Sequence, residues 1–188
     1  PLELRYTRMA KCLATAAADP EVKTIIVDSL TTVRDYVKFD ILRQRGQNPN
    51  VKNAVRFDPS HPQFAVLVLQ EWDAFAFYFR HLIANLRTTN KIIVFTAHQE
   101  VKAGEDDGVF RTFLAMPGQS RHNLSALFSD VWNTYVEQVG FGSSAVHNRM
   151  VRTLPTGATD DRGLKDSLGL PAVSKVEDVI KHINQIYK

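Results

Sequence analysis

The chain is poor in several things that would have narrowed its reading at once. Of its 188 residues only Cys12 is a cysteine, which excludes an internal disulfide and any zinc-finger spacing and suits a reducing cytosol. No apolar run approaches the length of a bilayer span, and the first residues show no signal-peptide pattern, so a soluble, cytosolic protein with no membrane partner is expected. The formal charge of +3 is too mild to argue for a polyanion partner, and nucleic acid would have to bind a local patch. No G-x-x-x-x-G-K-[ST] occurs anywhere, so neither the loop that cradles phosphates nor its lysine is present in these residues. Internal repeats and low-complexity tracts are missing as well.

What is there suits a globular domain: 44% hydrophobic residues over a length that can bury a proper core. Leu2, Tyr6, Met9, Leu13 and Ala17 recur at helical spacing, and Cys12 reads as a small core residue of that helix. Thr24 to Val27 has the β-branched density of a strand buried on both faces, as in a parallel sheet. Ser29 and Thr31 can cap a following helix that carries Val33, Tyr36, Val37 and Ile41. Arg43 to Gln63 reads as an exposed loop. Between Pro62 and Thr88, Val68, Trp72, Phe75, Phe79, Leu82 and Leu86 mark a long helix whose aromatic face packs on a sheet. Lys91 to Thr96 is a second buried strand, parallel to the first because a long crossover helix joins them. Glu100 to Arg121 shows no sustained period and reads as a loop, followed by a short helix at Leu124 to Phe128. Two alternating stretches around "FGS" read as a hairpin, "TGATDDRGLKDSLGLP" as mostly loop, and Val176 to Tyr187 as a last amphipathic helix.

In open α/β sheets, ligands bind outside the carboxyl ends of the parallel strands. The two strands end in Asp28-Ser29 and in Thr96-Ala97-His98-Gln99, so both polar clusters project to the same edge. An apolar strand that runs up to an Asp has the form of a Walker B element, whose carboxylate holds magnesium beside nucleotide phosphates. A polar residue at the neighbouring tip can sense the γ-phosphate. An Asp-Ser at a strand end is equally a good helix cap, and a lone His is commonly a hydrogen-bonded core residue.

The order "TIIVDSLTTV", long aromatic helix, "KIIVFTAHQE", "MPGQSRHNLSALFSDVW", "NRMVRTLPTG" and "RGLKDSLGLP" resembles the later two-thirds of phage-encoded RecA-like P-loop ATPases. It is most similar to the AAA-domain proteins of single-strand annealing and recombination. The resemblance implies an α/β RecA-like core over 1–188, with a mostly parallel sheet flanked by helices, a C-terminal β-hairpin and no P-loop strand. It implies ATP and Mg2+ as cofactors, with Asp28 holding the metal, Ser29 and Thr96 beside the nucleotide, and His98 or Gln99 sensing phosphate. It also implies single-stranded DNA on a mobile loop at 100–121, through Lys102, Arg111 and Arg121 on phosphates and Phe110 and Phe113 on bases. A solvated surface connection explains that loop equally, and its Asp106 and Asp107 count against DNA at its centre.

The family assembles as homo-oligomeric rings or filaments, in which a basic residue of one subunit completes a neighbour's site. Arg149 and Arg152 on the hairpin are basic, and Arg162 and Lys165 in the loop after it are the candidates for that role. The missing phosphate loop leaves either the carboxyl portion of a longer ATPase or a degenerate relative that does not hydrolyse ATP, and the start at Pro1 favours the former. The alternatives are a non-catalytic interaction module in a DNA-processing or virion assembly, and a metal-dependent nuclease using Asp28 with Asp106 and Asp107.

Overall fold

The computed structural model describes residues 4–47, 67–68, 71–103, 110–116, 124–155 and 164–186. They form a mixed α/β structure that divides into two compact units, residues 1–98 and 99–188.

The first unit opens with helix α1, Arg5–Ala18. Its expected apolar face is present, but Tyr6, Met9 and Leu13 are only half-buried and Cys12 is exposed, so the cysteine is not a core residue. Strand β1, Thr24–Val27, leads into α2, Leu30–Gln47; α3, Glu71–Arg87, leads into β2, Ile92–Phe95. Helix α2 extends through Arg43 to Gln47, where a loop was expected, because no helix breaker precedes Gly46 and Arg45 is anchored by an ion pair to Glu71. The remainder of that expected loop lies outside the described residues.

β1 and β2 are parallel, with Thr24 opposite Ile92 and Val27 opposite Phe95, as the crossover argument requires. Lys91 fastens the start of the pair, its Nζ donating to the carbonyls of Asp19 and Val22 at 2.6 Å each. The core comprises Ile25 and Val27 of β1, Leu30, Val33, Val37 and Ile41 of α2, and Phe75, Phe79, Leu82, Ile83 and Leu86 of α3. Phe75 and Phe79 pack ring to ring at 5.1 Å. The lower part of the aromatic stripe is therefore core, whereas Val68 and Trp72 at its start remain partly exposed. β1 is not buried on both faces: Ile25 and Val27 point into the core, while Ile26 is 65% exposed. Its in-register partner Val94 is also exposed.

The second unit contains an antiparallel pair where no strand was expected, β3, Gln99–Ala103, with β4, Phe110–Leu114. A 3-10 turn at Leu124–Leu127 stands where a short helix was expected. The expected hairpin is there as β5, Asn133–Val139, and β6, Val146–Arg152; a short β7, Val173–Lys175, adds to β6. Helix α4, Val176–Ile186, then closes over the sheet, burying Val179 against Val151 and Leu170, with Trp132, Leu168 and Ile183 around them.

Candidate functional site

Parallel pairing carries the tips of β1 and β2 to one edge. The register that sets Val27 beside Phe95 places Asp28 beside Thr96, and the Thr96 hydroxyl donates to Asp28 Oδ1. Main-chain bonds fix the same corner. Thr96 N–H donates to the Val27 carbonyl at 3.1 Å, and its own carbonyl accepts from Leu30 N–H at 2.8 Å. The backbone N–H of His98 donates to Thr31 Oγ1 at 3.1 Å, so the chain leaving β2 is held to the first turn of α2. Each of these bonds satisfies a main-chain group that a strand end or helix start would otherwise leave unpaired.

Asp28 and Ser29 are joined by a cis peptide bond and diverge in environment. Asp28 is exposed, whereas Ser29 is buried with its hydroxyl turned to α2, where Oγ accepts from Thr32 N–H at 3.3 Å. Ser29 thus does the capping its residue type allows, occupying one of the orphan donors of the helix. The side chains of Thr96 and His98 are exposed at the same edge as Asp28.

Magnesium bound through water to one carboxylate and to nucleotide phosphates needs an exposed carboxylate with an unencumbered oxygen. Among the described residues Asp28 Oδ2 accepts no hydrogen bond, while Oδ1 is steadied by Thr96, so Asp28 and Thr96 fit that group. Ser29, with its hydroxyl in the helix cap, offers nothing to it in this arrangement. No three of His, Cys, Asp and Glu cluster as a protein-only metal site among the described residues.

The other candidates are scattered. Gln99 is exposed at the start of β3, in the second unit. Lys102 and Arg111 occupy directly paired positions of β3 and β4, Phe113 pairs with Glu100, and Phe110 with Ala103. The expected loop at 100–121 is in this part a strand pair. Arg121, Arg162, Asp106 and Asp107 lie outside the described residues. Lys165 is half-buried, and its backbone forms a two-way bridge with Val131, at 2.9 and 3.1 Å. Arg149 is exposed, and Arg152 lies over the Tyr135 ring at 5.1 Å. Thr31, read from sequence only as a capping residue, is the side chain that anchors His98; its place one turn from a strand-end Asp was the available signal.

Comparison of the chain with family models, with curated proteins and with solved structures gives no match. Among the described residues no helix is long and apolar enough to cross a membrane.

Proposed function

We propose that the chain is part of a RecA-like ATPase that acts on single-stranded DNA. The observation that carries this reading is the pair Asp28 and Thr96, hydrogen-bonded at the carboxyl ends of adjacent parallel strands, the edge at which open α/β sheets bind ligands. In that role Asp28 holds a magnesium ion through water, and Thr96 keeps the carboxylate turned toward it. Magnesium, when bound, neutralises charge on the transferred phosphate. In this reading His98, whose side chain is exposed and whose backbone is held by Thr31, senses the γ-phosphate. The reading requires a phosphate-cradling loop from another stretch of polypeptide, since none of these residues supplies it.

A second reading, an interaction module without nucleotide, is favoured by that same missing motif. Titration of the natural polypeptide, defined by its intact mass and amino-terminal sequence, with a fluorescent ATP analogue and magnesium separates the two. Binding that disappears in Asp28→Ala is the expected result. A natural protein that binds no nucleotide would overturn the ATPase reading in favour of the interaction module.

A further inference from the structure

The hairpin β5–β6 ends in an exposed aromatic residue. Phe141 is 91% exposed, the most of any large apolar residue among those described, and it is flanked by Val139 and Val146, paired across the strands and both more than half exposed. The turn that carries it is built: Gly140 and Gly142 hold φ of 87° and 65°, values that side chains other than glycine rarely adopt. Ser144 Oγ donates to the Phe141 carbonyl at 3.1 Å, Ala145 N–H to the Gly142 carbonyl at 3.2 Å, and Gln138 Nε2 to the Gly140 carbonyl at 3.2 Å. The tip's polar groups bond to one another while the aromatic ring points to solvent.

At the foot of this finger the charge is positive. The three strands carry Arg149, Arg152 and Lys175 against a single carboxylate, Glu137. Arg149 and Lys175 have no carboxylate within ion-pair distance among the described residues. Both line a cleft shared with His147 and Lys181, and with Glu177 and Asp178 of α4, of which Asp178 is held by Lys181 at 3.4 Å. Val146 and Arg149 are three residues apart along β6, about 10 Å, and leave opposite faces of the strand, so the cations lie down the finger from its apolar tip.

We infer that the β5–β6 finger is a contact for single-stranded nucleic acid, Phe141 stacking on an unpaired base at the tip while Arg149 and Lys175 take phosphates farther along the strand. An apolar tip with unneutralised cations at its foot matches a ligand with apolar faces on an anionic backbone. A partner that only buried apolar surface would leave those cations without a counterpart. The inference rests on the single-stranded DNA reading above and moves its contact from the β3–β4 region to the hairpin.

Fluorescence anisotropy of the full chain with fluorescein-labelled oligothymidylate tests it. Phe141→Ala should weaken binding about tenfold, and Phe141→Trp should restore it. The pair Arg149→Gln and Lys175→Gln should flatten the salt dependence by about two phosphate contacts. Far-ultraviolet circular dichroism checks that the variants fold. Wild-type binding that Phe141→Ala leaves unchanged overturns the finger and spares the DNA reading. No binding by the folded natural polypeptide, with ATP and magnesium present, overturns both. A loss of self-association in Phe141→Ala, seen by gel filtration with DNA binding unchanged, makes the finger a contact between copies and overturns the inference.

Discussion

Thr96 and Asp28 are hydrogen-bonded side chain to side chain across the tips of two parallel strands, 68 residues apart in sequence. The bond reaches a charged acceptor but lies in solvent, so its contribution falls to that of an ordinary hydrogen bond. Thr96→Val should lower stability by about 0.5–1 kcal/mol in urea unfolding, and Thr96→Ser should not. In the ATPase reading the valine variant also weakens magnesium-dependent nucleotide binding. Equal stability of valine and serine variants would mean that the hydroxyl does not hold the carboxylate.

The helix α3 provides an internal contrast. Phe79 is fully buried against Phe75, whereas Phe77, two positions away, is 64% exposed and stacks on His81. Phe79→Ala should cost about 3–5 kcal/mol through lost transfer energy and the cavity left behind. Phe77→Ala should stay within about 0.5 kcal/mol of the parent. Comparison of their urea midpoints at constant m-value decides it.

How much of this could be read beforehand depended on range. The stripe Phe75, Phe79, Leu82, Leu86 and the alternation around "FGS" are local periodicities, and both elements formed where the pattern lay. The meeting of Asp28 and Thr96 was legible because a crossover between parallel strands sends both carboxyl ends to one edge. "TIIV" could not tell one buried face from two, since an all-apolar strand suits either, and Ile26 proved exposed. β3 was hidden because "QEVKA" has one β-branched residue and its pairing to β4 lies in the backbone register. β7 has three residues, too few to show a period. The Ser29 cap was legible, because a serine between a strand end and an apolar helix is a preferred cap.

Asp40 is a buried carboxylate with a full set of donors. Its Oδ1 accepts from Arg43 Nη2 at 2.8 Å, and its Oδ2 accepts from Gln44 Nε2 at 2.9 Å and from the Tyr78 hydroxyl at 3.0 Å. Removing the acceptor breaks four hydrogen bonds at once, two of them from the Arg43 guanidinium. Asp40→Ala should therefore destabilise by about 3–5 kcal/mol, whereas Tyr78→Phe, which removes one donor, should cost about 1 kcal/mol. A difference of less than twofold between the two in denaturant unfolding would show that the network is not centred on Asp40.

Tyr6 links the same region to alkaline stability. Burial first, then the neighbouring Tyr78 and Asp40, push its hydroxyl pKa from 10.0 to about 12. Its ring meets that of Tyr78 edge to face at 4.9 Å. In the unfolded chain Tyr6 ionises near its ordinary value, while the folded chain keeps the proton. The folded state binds the proton more tightly, so the contribution is complete below pH 10 and is lost as pH rises toward about 12. Tyr6→Phe has no proton to lose, so between these limits its stability should fall less with pH than that of the parent. Urea midpoints at pH 8 and pH 11 measure the difference. The parent should lose more between the two than the variant, and equal losses would mean that Tyr6 ionises as readily in the folded chain as in the unfolded one.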